Sequence, residues 1–184
     1  MWNKGLSYRE RHGLRNVGIN KITNTKTGDT LNPDKNTSNH SLGLVFFPAF
    51  DWKISETHPE RQERLLYTRD QIVEEGLLDI PNIREYNPIV ADWDTIKRVH
   101  VGAPDLESWV TEAHRVSAGG AIAAADAVMR GEVDRAFALV RPPGHHAMAM
   151  VHGIRGFCTI NIEAVMIQHM RQKYGIKRVA VVDT

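Results

Sequence analysis

An open α/β fold, with a mostly parallel sheet between helices, is what this sequence predicts, and three observations predict it. The first is the unbroken apolar run Gly43-Leu44-Val45-Phe46-Phe47, expected of a central parallel strand covered on both faces. The second is a later run, Ala136-Phe137-Ala138-Leu139-Val140, followed by a helical stretch and then by Val179-Ala180-Val181-Val182. That order reads as strand, helix, strand, and such crossovers are right-handed in about 98% of cases, so the two strands should be parallel. The third is the set of helical stripes between the strands, each closed by its own glycine or proline signal.

The elements follow in order. Residues 1–41 read as a polar, basic, flexible extension, with seven Lys and Arg against three Asp and Glu up to residue 40. The folded part, 42–184, begins with the strand from Leu42. After it, Thr57 can cap and Pro59 suits a first helical turn, with Leu65, Leu66, Ile72 and Val73 forming a stripe that stops at Gly76. Ile83 to Tyr86 and Pro88 to Val90 suggest a short strand, pushed toward an edge by the proline. Asp92 to His100 suggests a short helix, and Leu106 to Arg130 a long one with Asp105 as cap and Gly131 as stop. Within it, Ala118-Gly119-Gly120-Ala121 costs roughly 1 kcal/mol per glycine in propensity, which suggests close packing on the sheet. The last third reads as strand Ala136–Val140, a helix from Asn161 to Lys173 stopped by Gly175, and a strand Lys177–Asp183.

Composition narrows the function. A formal charge of +1 gives no long-range attraction to nucleic acid or anionic membrane. There is no apolar run near the roughly 20 residues that a membrane helix needs. The single cysteine, Cys158, excludes an internal disulfide and fits a reducing cytoplasm.

The chemistry concentrates in Arg141-Pro142-Pro143-Gly144-His145-His146-Ala147, where two prolines end a strand and present two imidazoles at its carboxyl end. Ligand sites of open α/β sheets gather at that edge. Parallel strands would bring Asp183 to the same edge, buried beside His145 and His146. A carboxylate there fixes an imidazole's tautomer, and a ring that ordinarily titrates at about pH 6.5 exchanges protons near neutrality. Extended neighbours point to opposite faces, so the pair reads as acid/base residues and not as two ligands of one metal. Glycines 153 and 156 allow close backbone approach, Phe157 can wall a pocket, and Asn161 can cap the following helix. Cys158 reads as a small buried hydrophobe.

The string Arg-Pro-Pro-Gly-His-His-Ala, then Gly-Phe-Cys-x-x-Asn, then an apolar strand ending Val-Asp, resembles the histone deacetylase superfamily, which includes acetylpolyamine amidohydrolases and acetoin-utilisation proteins. His58-Pro59-Glu60 with Arg64 resembles that family's early helix start. The resemblance covers about Leu42 to Thr184 and implies a three-layer arginase/deacetylase-like fold, incomplete in this chain. It implies removal of acetyl groups from acetyl-lysine or small acetylated amines by a metal-activated water, usually on zinc. By the same resemblance His145 would partner Asp183 as the buried member of the pair, and His146 would face the substrate as general base and acid. The Gly156 carbonyl would accept from the substrate amide, Phe157 would line the channel, and Arg64 would lie near the inner pocket. Asp105 would be the candidate acidic residue at the substrate rim. Asp183 would also serve a monovalent-cation site.

Relatives continue as Asp-x-Asp-x-His-His-Gly, whose second Asp and first His bind the metal, whereas this sequence reads Asp183-Thr184. No metal ligand is therefore assigned, and the chain is expected to be an N-terminal portion, nearly inert alone. A non-catalytic, deacetylase-like fragment is the alternative expectation, and a metal-free hydrolase using His145 and His146 is a third.

Overall fold

The computed structural model describes residues 19–20, 40–102 and 105–183. Most of the extension before His40 lies outside these, as does Thr184. Four strands form one sheet: β1 (Ile19–Asn20), β2 (Leu42–Phe47), β3 (Ile83–Tyr86) and β4 (Arg135–Val140), in the order β1-β4-β2-β3. β2 is parallel to both β3 and β4, and β1 is a two-residue antiparallel edge on β4.

Side chains alternate between two covered faces, so β2 and β4 from Ala136 onward are apolar. Leu44 and Leu139, with Phe46 and Phe137, pack with Leu65 and Ile72 of helix α1 (Gln62–Glu74) on one face. Val45 and Ala136, with Ala138 and Val140, pack under helix α4 (Glu112–Met129) on the other. A third cluster lies beyond α4, joining α2 (Trp93–Val99), α3 (Leu106–Trp109) and α5 (Ile162–Tyr174) through Ile96, Leu106, Ile122, Val165 and Met170. The expected layering, helices on both faces of a mostly parallel sheet, is present.

Local chemistry places the ends. Asp92 caps α2, its carboxylate accepting from Thr95 N at 2.7 Å, and Asn161 caps α5, accepting from Ala164 N at 2.8 Å. Gly175 closes α5 in a left-handed conformation. α1 starts at Gln62 rather than just after Thr57, with residues 57–61 as turns that send the Glu60 side chain inward. The long helix expected from Leu106 is instead two, because Val110 is extended and Thr111 begins a capping box with His114. Pro88–Val90 forms no strand. The glycine pair of α4 does pack closely: a Cβ on Gly119 would meet Ile89 O at 1.8 Å, and one on Gly120 would meet Val140 Cγ1 at 2.6 Å.

One expected strand is missing. Residues 177–183 form no sheet hydrogen bonds and are exposed, so the strand–helix–strand argument does not place Asp183. One edge of β4 is taken by β2 and the start of the other by β1. Beyond Ala136 that second edge of β4 stays open among the described residues, yet the segment forms no ladder with it, despite its β-branched sequence.

Candidate active site

The loop after β4 is held from below by Arg141. Its side chain is fully buried, and Nε donates to Glu60 Oε1 at 2.9 Å. Nη1 donates to the carbonyls of Pro48, Ala49 and Trp52 at 2.9, 2.7 and 2.9 Å, while Nη2 donates to Glu60 O at 3.2 Å. The guanidinium also lies over the Trp52 ring, 5.0 Å from its centroid. A planar fork with five donors is what such a cradle of carbonyls demands, and a lysine could not fill it. Ala49, one of the acceptors, sits at φ 50°, a conformation unfavourable for a residue with a Cβ. Arg64 reaches this network only from outside. It pairs with Glu60 Oε2 at 2.9 Å and is half-exposed, supporting the buried pair rather than entering a pocket.

Behind Trp52 lies His114, whose ring meets Trp52 edge-on at 5.3 Å. Burial pushes the His114 imidazole down to about 4, so it is neutral, and its Nδ1 accepts from Thr111 N at 3.2 Å. His100 is likewise neutral: burial lowers it, against the opposing pull of the Met148 and Ala149 backbone. Its ring bridges Met148 O at 2.9 Å and Asn161 N at 3.0 Å, tying the end of the histidine loop to the start of α5.

Above this base the catalytic candidates converge. His145 Nδ1 lies 3.0 and 2.9 Å from the two carboxylate oxygens of Asp183. His146 Nδ1 lies 3.0 Å from Gly156 O. The two rings are neighbours, 3.9 Å between centroids and tilted by 38°, because the loop turns at this point. The expectation that adjacent histidines point to opposite faces fails here, since it holds only for extended backbone. The expected burial fails as well: the side chains of His145 and Asp183 are 37% and 58% exposed.

Gly156 and Phe157 sit at φ 51° and 71°, the signature of a two-residue I′-type turn, and Arg155 and Cys158 close it with backbone bonds of 2.8 and 2.9 Å. A Cβ on Gly156 would lie 2.3 Å from His146 Nδ1, so glycine is required for space as well as for conformation. The Gly156 carbonyl accepts from His146 and also from the Cys158 thiol at 3.4 Å. Phe157 is partly exposed and meets His58 edge-on at 4.6 Å. Asp105 precedes α3 on the surface with no side-chain cap bond; its carbonyl accepts from Ser108 Oγ at 2.6 Å. Trp109 of α3 packs against Gly153, which brings that rim to the same loop.

A cleft of about 260 Å³ opens beside the pair, lined by His145, Asn161, Glu163, Val181 and Asp183 among others. Burial raises the Glu163 carboxyl, the Asp183 charge adding to the rise and the His145 ring opposing it. The Glu60–Arg141 anchor was not assigned from sequence, nor were His58 and Glu163. Glu60 and Arg141 are 81 positions apart, and only the arginine's place before two prolines hinted at a fixed role. Glu163 carries no motif, and only its place just after the Asn161 cap put it near the pair.

The zinc that the resemblance implies calls for a set rich in carboxylate. Among the described residues, the cluster with metal-type donors at this site is His145, His146 and Cys158. Burial pushes the Cys158 thiol up to about 11, and the set would consume both imidazoles needed for proton transfer. These residues do not fit the implied catalytic zinc.

A family model, the histone deacetylase domain, matches residues 105–184. A probable deacetylase of Archaeoglobus fulgidus is 36% identical over 160 residues, 77% of this chain and 44% of that protein. The chain belongs to the histone deacetylase superfamily. The human polyamine deacetylase HDAC10 is 30% identical over 155 residues, 72% of this chain and 23% of its own length. A histone deacetylase-like amidohydrolase of Pseudomonas aeruginosa is 49% identical over 72 residues, 39% of this chain and 18% of that protein. The crystal structure of the HDA15 HD domain has the same fold, with a TM-score of 0.59 at 24% identity, covering 73% of this chain and 44% of that one. The chain thus spans less than half the length of each of these relatives.

Proposed function

We propose that this chain carries the proton-transfer half of a zinc-dependent deacetylase site, acting on acetyl-lysine or small acetylated amines. The observation that carries the reading is the contact between His145 Nδ1 and Asp183, beside His146, in the loop of the matched domain. Asp183 accepts from Nδ1–H and so leaves the Nε2 lone pair of His145 available. His146 is held through Nδ1 by Gly156 O, which leaves its own Nε2 lone pair available. In this reading His146 accepts a proton from the attacking water and returns it to the departing amine, while His145 with Asp183 stabilises the charge that forms. Zinc, when bound, would make water a nucleophile near neutral pH, through ligands outside the described residues.

Phe157 would flank the acyl chain and Asp105 would sit at the substrate rim. Gly156 O would accept from the substrate amide only after His146 or Cys158 gives up its bond. Arg64 acts by holding Glu60. A monovalent cation would bind at Asp183, whose carboxylate lines the cleft. The buried single cysteine supports a reducing cytoplasm as the compartment. No helix among the described residues is long and apolar enough to cross a membrane.

The exposed Asp183 favours a second reading, a deacetylase-like fragment without turnover, and the chain alone is expected to be nearly inert. The two readings separate by acetate release from an acetyl-lysine peptide and an acetylated polyamine. The assay contains zinc and whatever the source DNA encodes after Thr184. Zinc-dependent turnover that His146→Gln lowers by about 10²-fold or more supports the enzyme. Turnover that survives a chelator sinks it, and none at all leaves the fragment.

A further inference from the structure

The deacetylase reading leaves the substrate open between peptides and small amines, and one exposed cation beside His146 bears on that choice. We propose that Arg155 is a specificity-determining residue. It takes a carboxylate on the amine side of the acetylated group, as in an acetyl-lysine followed by an acidic residue. The acetyl group in this statement rests on the deacetylase reading, whereas the charge preference does not.

Arg155 opens the turn whose next residue, Gly156, holds His146 Nδ1 through its carbonyl at 3.0 Å. Its backbone closes that turn with bonds of 2.8 and 2.9 Å to Cys158, which fixes the root of the side chain relative to His146. The side chain reaches the histidine loop itself, where Nη1 donates to Met148 Sδ at 3.1 Å, two residues beyond His146. A thioether sulfur is a weak acceptor, and a guanidinium carries five donors in a planar fork. Among the described residues no carboxylate, Asp105 included, pairs with this fork. Arg64, Arg69, Arg115, Arg130 and Arg141 each have one. The neighbours of Arg155 along the loop are instead apolar and exposed, namely Met148, Met150, Ile154 and Phe157. Apolar neighbours thin the water around a charge and strengthen a pair made there, and the fork accepts a carboxylate through two parallel bonds. The same charge repels an ammonium, so an acetylated polyamine, cationic along its chain, is disfavoured.

The test uses two acetyl-lysine peptides that differ only in the following residue, Asp or Asn, with an acetylated polyamine as the third probe. Binding to the full chain is read by calorimetry, which needs no turnover, and acetate release is read separately in the zinc-containing assay. The Asp peptide should bind about 5-fold or more tighter than the Asn peptide at low salt, and the gap should narrow as salt rises. Arg155→Gln, at an exposed position, should bind the two peptides alike. Arg155→Lys should keep only part of the preference, since it lacks the fork. A parent chain that binds both peptides equally, binds none of the probes, or binds the polyamine as tightly as the Asp peptide would overturn the assignment. So would an Arg155→Gln chain that keeps the preference. Failure of the deacetylase reading looks different: the Asp peptide is preferred in binding, yet no acetate is released from either.

Discussion

Arg141 and His145 stand four residues apart on one loop and occupy opposite surroundings. The guanidinium is fully buried and gives five hydrogen bonds to groups 81 to 93 positions away. The imidazole is more than one-third exposed and has one partner, a carboxylate more exposed than itself. The first arrangement fixes where the loop leaves the sheet. The second leaves the chemistry open to water and to substrate. Stability should accordingly follow the base of the loop and be almost deaf to its tip.

The largest test of that contrast is Arg141→Ala. It leaves Glu60 with only the half-exposed Arg64 and strands three carbonyls in the interior, and breaking a buried pair from one side costs about 3–5 kcal/mol. Urea unfolding should show that loss, and Arg141→Lys should recover little of it. A variant with an unshifted midpoint would remove the anchor.

Acid should attack the same base next. His114 is neutral in the folded chain and protonates only near pH 4, whereas an unfolded histidine does so near 6.5. The unfolded chain binds the extra proton first, so stability is full above pH 6.5 and is lost as pH falls toward 4. For His114 alone that loss amounts to about 3 kcal/mol. His100, also lowered by burial, works in the same direction. Unfolding followed across this range should show the decline, and His114→Gln should flatten it.

Crowding gives a smaller effect. Gly119→Ala puts a methyl against Ile89 O and should cost about 1–3 kcal/mol in the same unfolding assay. The smallest effect belongs to the tip. Asp183→Asn should leave the urea midpoint within about 0.5 kcal/mol of the parent, since exposed pairs contribute little. The His145 ring signals should nevertheless shift in NMR spectra. A large stability loss there would erase the distinction between base and tip.

Much of the frame was readable because it is written in local signals. Asp92, Asn161 and Gly175 end helices by chemistry confined to three or four residues, and the runs at Leu42 and Ala136 announce strands covered on both sides. The glycine pair in α4 told its own packing. What was not readable depends on distant partners. Val179 to Val182 has every property of a strand, yet it forms no ladder with the open stretch of β4, and no local signal announces that. Glu60 looks like any helix-start glutamate until Arg141 arrives from another part of the chain. The relation of His145 to His146 depended on how the loop turns after Gly144, which no spacing rule encodes. His145 and Asp183 do meet, although the expected strand does not form.

Because one guanidinium holds the carbonyls of Pro48, Ala49 and Trp52 while opening the histidine loop, two segments share a single point of reference. The stretch that leads on to His58 is set from the same origin as the turn that carries Phe157. Any disturbance at Arg141 would displace both members of the His58–Phe157 contact together, so their separation should change little even where their position does.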